Sequence, residues 1–243
     1  MSKKPYEEFH KKTLIQKKLI KTNNFTYRHI LYFINKYAVD KKNIIDIGCG
    51  AGTLCFYIAS KRIRALGVDI SSKAIKICQE SSKSMGLDKL VKFKVVDFPN
   101  KSINGKFDLV IFTEVIEHLR DDKLALEKIF NMLNKRGVTI ITTPSLNAPL
   151  YRLGYADNFD KRVGHLRRYT VESLSLLCQE AGFKIIETEK VEGILRNFLF
   201  LNPYAGKLVR FIKYFISDVV TFIDNLLIPI FGESNIIIIA KKI

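Results

Sequence analysis

The run Asp46-Ile47-Gly48-Cys49-Gly50-Ala51-Gly52 constrains the fold of this chain more than any other stretch of it. It closes the apolar segment 43–47 and leads into a helical pattern over 53–60. Three glycines at alternate positions between a strand and a helix supply backbone angles that a β-carbon forbids. They also let a ligand approach the main chain beside a helix N-terminus. The spacing is G-x-G-x-G, whereas the dinucleotide fingerprint is G-x-G-x-x-G, so a nicotinamide-dependent oxidoreductase is the weaker reading of the loop.

Short apolar runs alternate with longer helical patterns from Asn43 to Gly182, the signature of parallel strands joined by crossover helices. Strands are expected at 43–47, 64–68, 91–96, 107–112 and 138–143, and late strands at 183–191 and 235–240. Gly86 and Gly182 each follow an amphipathic segment and precede an apolar run, as left-handed helix stops do. Thr170 stands where an N-cap belongs, before a helix at 171–181 with Glu172 in its first turn. Two further helices are expected before the sheet, at 6–20 and 25–38.

A chain of 243 residues suits one α/β core with appendages and is short for two enzymatic domains. We expect a basic helical segment at 1–40 and the main domain at 41–243, with an amphipathic helical insertion at 193–233. The formal net charge of +16 points to phosphates, an anionic membrane surface or an acidic substrate. Cys49, Cys55, Cys78 and Cys178 form no C-x-x-C pair, so neither a zinc module nor a disulfide framework is indicated, and a reducing cytoplasm fits. Polar residues interrupt every apolar run before Asn43, so a secretory signal is not expected.

Two more acids follow strand ends. Asp69, in Gly67-Val68-Asp69-Ile70-Ser71, comes 23 positions after Asp46 and is placed to accept hydrogen bonds from both hydroxyls of a ribose. Asp97, in Val96-Asp97-Phe98, follows the third strand, where it can take an adenine amino proton while Phe98 packs on the ring. Each acid taken singly also fits a turn or N-cap; three at successive strand ends are harder to obtain by chance.

With these pieces, DIGCGAG, GVDIS, VDF, FDLVIFTEVIEHL and a late AGF turn, the chain resembles the class I S-adenosylmethionine-dependent methyltransferases over roughly residues 40–192 plus the last strand. The resemblance implies a doubly wound, seven-stranded, mostly parallel α/β sheet whose last strand runs antiparallel. It implies that Asp46, Gly48, Gly50 and Gly52 hold the methionine part of the cofactor, Asp69 with Ile70 the ribose, and Asp97 with Phe98 the adenine. Glu114, after the fourth strand, joins the expected cofactor contacts.

Thr113-Glu114-Val115-Ile116-Glu117-His118-Leu119 opens onto the same sheet edge. Methyl transfer from a sulfonium is an in-line displacement, so it needs alignment and, for an oxygen acceptor, a base or a metal. Two carboxylates and an imidazole within five residues make a candidate site for a divalent cation such as magnesium, with imidazole widening the choice to manganese, iron, cobalt or zinc. The Glu-x-x-Glu-His pattern resembles the small-RNA 2'-O-methyltransferases and the polyprenyl-quinol O-methyltransferases. In the former a later histidine completes a metal site; here that candidate is His165 in Gly164-His165-Leu166-Arg167-Arg168-Tyr169-Thr170. The metal set would be Glu114, Glu117, His118 and His165. Alternatively Glu117, His118 and His165 act without metal, a histidine serving as general base, or the segment only closes the pocket. The GHLRRYT stretch equally reads as a lead into the next helix with solvated arginines.

From Lys207 onward, Lys207, Arg210, Lys213, Ser217, Thr221 and Asp224 recur every three or four positions, opposite a broad arc of Phe, Ile, Leu and Val. No run reaches the length of a spanning helix. Such a helix suits a lid, a dimer interface or peripheral contact with an anionic membrane. The function expected is methyl transfer to a hydroxyl of a hydrophobic, membrane-associated small molecule such as a quinol or lipid. A nucleic-acid acceptor is the alternative, and a non-catalytic cofactor-binding protein a third.

Overall fold

The structure, a computed structural model, describes Glu7, residues 13–202 and residues 217–243. Helix α1 (Arg28–Tyr37) precedes strand β1 (Asn43–Ile47); α2 (Thr53–Ser60), β2 (Arg64–Asp69), α3 (Ser72–Ser84) and β3 (Val91–Val95) complete the first half. The second half holds β4 (Phe107–Thr113), a 3-10 turn (Ile116–His118), α4 (Asp122–Met132) and β5 (Leu133–Pro144). After it come α5 (Pro149–Arg152), α6 (Asp157–Val163), α7 (Val171–Glu180) and β6 (Lys184–Val191). Helices α8 (Ile194–Leu201) and α9 (Ser217–Phe231) and strand β7 (Asn235–Lys241) end the chain.

The seven strands form one sheet in the order β3-β2-β1-β4-β5-β7-β6. All neighbours are parallel except β7, which pairs antiparallel with both β5 and β6. The order reverses between β1 and β4, so the open end of the sheet there is the switch point where α/β folds bind ligands. Both faces are covered, which explains the apolar runs. In β4, Leu109 and Ile111 enter the core on one side with Leu31, Ile34 and Ile58, while Val110 and Phe112 enter the other with Leu126, Ile129 and Leu174. In β7, Ile237 and Ile239 face the first core and Ile236 and Ile238 the second.

The helix stops at Gly86 and Gly182 have φ of 66° and 95°. Thr170 caps α7 through its side chain, and Ser173 returns a bond to the cap backbone.

One expectation fails. The helix expected at 6–20 is not formed over the described residues 13–20, which are irregular. They are held by polar tethers instead: Gln16 reaches the Ser81 hydroxyl through its backbone N–H, and its amide donates to the Ala51 carbonyl and the Thr53 hydroxyl. The start of the expected amphipathic helix, 207–216, lies outside the described residues, and the part described keeps the amphipathic pattern. Ser217, Thr221 and Asp224 of its polar stripe are buried, while Val219, Phe222, Ile223, Leu226 and Ile230 face outward.

Candidate active site

The loop after β1 folds because its glycines take left-handed angles, with φ of 78° at Gly48, 51° at Gly50 and 78° at Gly52. A β-carbon on Gly48 would lie 2.3 Å from Val115 Cγ2, so the segment after β4 presses directly on the loop. The Gly50 N–H donates to Asp69 Oδ2 at 2.9 Å, and the Ser71 N–H to Asp69 Oδ1 at 2.8 Å, which fixes the carboxylate over the end of β2. Ile70 follows it, half-buried.

Asp46 is buried, and its Oδ1 has no hydrogen-bond partner. Desolvation pushes its carboxyl up to about 7, against the Cys55 thiol bond and with the help of the Asp69 charge. A buried, orphaned carboxylate oxygen under the loop fits the ammonium of an amino-acid ligand. Asp97 Oδ1 is likewise buried without a partner, while Oδ2 accepts from the Asn100 amide at 3.2 Å. Phe98 sits in the core, edge-on to Phe112 with ring centroids 6.0 Å apart. The adenine platform expected of it is therefore not an open ring face: the sheet's second core has taken it up.

After β4 the backbone turns sharply at Glu114, whose φ is 54°. Its Oε1 accepts from the Thr142 hydroxyl at 2.7 Å and the Asn235 amide at 2.9 Å, and desolvation raises its pKa. Glu117, two positions beyond Val115, is fully buried. Its Oε2 accepts from the Thr143 hydroxyl at 3.1 Å, but Oε1 has no partner. That orphan lies 3.9 Å from His118 Nε2 and 3.9 Å from His165 Nε2. Desolvation first, then the nearby Glu114 charge, hold the Glu117 pKa well above the carboxylate range.

The imidazoles are held from behind. His118 Nδ1 is 3.0 Å from the Gly164 carbonyl, so it carries the proton and leaves Nε2 as the lone-pair nitrogen. Desolvation lowers the His118 pKa, keeping the ring neutral. His165 Nδ1 lies 2.9 Å from Asp160 Oδ1. Burial pushes the Asp160 carboxyl up, but bonds from His165 and Arg168 outweigh it and bring the pKa down to about 2.

One carboxylate oxygen and two imidazole nitrogens thus lie within 4.8 Å of one another, a donor set that could hold a metal ion. Glu114 is not part of this set. The four expected ligands become three because Thr142 and Asn235 already engage it.

The stretch carrying His165 is no solvated lead. Arg168 makes two 2.7 Å bonds to the Asp160 carboxylate and stacks on Tyr151, 4.5 Å from the ring centroid. The Leu166 N–H donates to the Glu117 carbonyl at 2.8 Å. Arg167 and the Tyr169 hydroxyl both reach Asp122 Oδ2 at 2.6 Å. Asp160, Thr142, Thr143 and Asn235 were not expected from sequence; none stands in a recognisable spacing with the residue it supports.

A glycine loop at the switch point of a seven-stranded sheet, with β7 reversed, defines the Rossmann-like S-adenosylmethionine-dependent methyltransferase fold. The methyltransferase domain family matches residues 38–196, and the chain belongs to that family. Norajmaline N-methyltransferase of Rauvolfia serpentina is 33% identical over 117 residues, covering 47% of this chain and 36% of the relative. Ubiquinone biosynthesis O-methyltransferase of Chromobacterium violaceum is 27% identical over 124 residues, covering 51% of this chain and 53% of the relative. The matched stretches thus span from about a third to about half of these relatives. Phosphoethanolamine N-methyltransferase 2 of Haemonchus contortus, solved with S-adenosyl-L-methionine, superposes with a TM-score of 0.66 at 18% identity, over 89% of this chain and 52% of that one. That likeness concerns the fold.

Proposed function

We propose that the chain transfers the methyl group of S-adenosylmethionine to a hydroxyl of a hydrophobic, membrane-associated small molecule of the quinol or lipid type. The observation that carries the reading is the orphaned, fully buried Glu117 Oε1 facing two imidazole nitrogens beside the glycine loop. The ubiquinone-pathway relative supports an oxygen acceptor, and the norajmaline relative supports nitrogen.

The chain's own residues would do three things. Asp46, Asp69 and the loop amides hold the cofactor. Val115, packed on Gly48, sets the distance from the loop to the acceptor residues. His118, neutral with its Nδ1 proton on Gly164, offers Nε2 to accept the acceptor's proton. Alternatively Glu117, His118 and His165 would hold a divalent ion; His118 Nε2 would then be a ligand and not the base, and the ion when bound would supply Lewis acidity toward an acceptor hydroxyl. Two nitrogen donors favour zinc, manganese, iron or cobalt over the magnesium expected from sequence.

A ribose hydroxyl of RNA is the second reading, favoured by the net charge of +16. The test is transfer of labelled methyl from S-adenosylmethionine into separated lipid, RNA and protein pools, with mass-spectrometric fragmentation to distinguish oxygen from nitrogen products. Label in the lipid pool on oxygen supports the first reading and label in RNA the second. Label in no pool removes both.

A further inference from the structure

Helix α9 is built the wrong way round for a helix on a globular surface. Its buried residues are Ser217, Thr221 and Asp224. Val219, Phe222, Ile223, Leu226 and Ile230 are exposed, Phe222 at 66% and Ile230 at 72%. Their spacing places all five on one stripe of a helix about 22 Å long.

The inward polar face has structural work that fixes this orientation. Asp224 accepts the Gly193 and Leu195 N–H groups at 2.7 and 2.8 Å, capping the start of α8. The backbone of Gly193 comes so close that a β-carbon there would lie 2.6 Å from the Asp224 carbonyl. The Thr221 hydroxyl returns to the Ser217 carbonyl at 2.7 Å. Rotating α9 to hide its apolar stripe would break the cap and bury nothing polar in exchange. Phe198 on α8 adds another exposed aromatic to the same pair of helices.

We infer that the outward stripe of α9 docks on an anionic lipid bilayer, lying in the interface rather than crossing it. No helix among the described residues is long and apolar enough to cross a membrane. Charge selects the occupant. Between Asn202 and Ser217 the sequence contains Lys207, Arg210 and Lys213 and no acid, and Asp218 at the start of α9 is paired with Arg28. A second copy of the chain meeting this face would carry the same net charge of +16. Anionic headgroups complement the cations while the stripe enters the acyl boundary. The surface also stands beside the candidate site: α9 ends at Phe231, and Asn235, four residues on, holds Glu114. A docked chain would meet a lipid-dissolved acceptor where it resides. The inference rests on the orientation of α9 and not on the acceptor reading.

The test is flotation of the full chain with phosphatidylcholine vesicles, with and without phosphatidylglycerol, at low and high salt. Its variants are the double substitution Phe222→Glu with Ile230→Glu, and the pair Lys207→Glu with Lys213→Glu. Both Phe222 and Ile230 are already exposed, so the fold is spared, and an unchanged melting temperature and S-adenosylmethionine affinity check this. The expected result is salt-sensitive flotation only with anionic vesicles, reduced about tenfold or more in each variant. Wild-type chain that floats with neither vesicle overturns the inference, as does flotation equal in the Phe222 and Ile230 variant. So does a dimer in sedimentation that the same variant dissolves while vesicle binding is absent. Methyl transfer to soluble extracts is scored separately, so that failure of docking and failure of the acceptor reading are told apart.

Discussion

Glu117 Oε1 lies 3.9 Å from His165 Nε2, fully buried and without a hydrogen-bond partner. An unpartnered buried carboxylate oxygen costs stability, on the order of 1–3 kcal/mol for the lost bond alone. Under the proposed function this oxygen, beside the two imidazoles, receives an ion or an acceptor hydroxyl.

If an ion is what Glu117 receives, exhaustive chelation abolishes methyl transfer, and zinc, manganese, iron(II) or cobalt restores it better than magnesium does. Activity is measured on metal-free chain with each ion added back. Undiminished transfer after chelation assigns the cluster to acid–base work instead.

Asp160 holds His165 from behind and lies outside the Glu117, His118 and His165 set. Asp160→Asn keeps the shape but weakens the hold on Nδ1. The expected effect is a fall in transfer rate of about 10–100-fold with S-adenosylmethionine affinity unchanged. If a divalent ion is used, its affinity falls in step. A variant that merely unfolds would lose cofactor binding as well, which calorimetric titration detects.

With Asp46 as the cofactor's ammonium partner, cofactor binding is expected to depend on pH. Burial raises its carboxyl from 3.8 to about 7, so below about pH 7 the free protein holds it neutral. The cofactor ammonium needs the carboxylate, so affinity should fall below pH 7, by up to about tenfold per unit. Stability of the ligand-free chain runs the other way. A raised folded pKa means the protonated form is favoured by folding, so this group's contribution declines as pH rises from about 4 to about 7. Asp46→Asn should bind the cofactor weakly and lose the pH dependence, read from titrations across that range.

Gly48→Ala places a methyl group 2.3 Å from Val115 Cγ2 in a backbone with φ of 78°. The left-handed angle alone costs about 1–2 kcal/mol, and the clash adds to it. Val115→Ala in the same chain should recover the clash but not the angle, leaving a residual loss of that size in chemical denaturation. Full recovery would mean the angle is not required.

The sheet was legible because both of its faces are buried, so each strand is an apolar run that alternates between two cores. β5 begins at Leu133, five residues ahead of the apolar run at 138, because Asn134, Lys135 and Arg136 lie at the sheet's end, where no core demands apolar side chains. The cofactor loop was legible for a different reason: positive φ at three alternate positions leaves few residue types other than glycine. Glu117, His118 and His165 were readable as chemistry. Glu114's diversion to Asn235 was not, since 121 residues separate the partners. The helical pattern at 6–20 misled because Gln16 is tethered to Ala51, Thr53 and Ser81, contacts that periodicity does not encode. In α9 the amphipathic period was plain, but period cannot say which face lies inward; the Asp224 cap on α8 decides it.

The most direct test compares wild type with Glu117→Gln for transfer of labelled methyl from S-adenosylmethionine into a lipid extract, with cofactor affinity measured on the same samples. The account predicts label on oxygen in a lipid-soluble product, a loss of about a hundredfold or more in the variant, and unchanged cofactor affinity. Equal labelling by both proteins, or no lipid product from either, would contradict it.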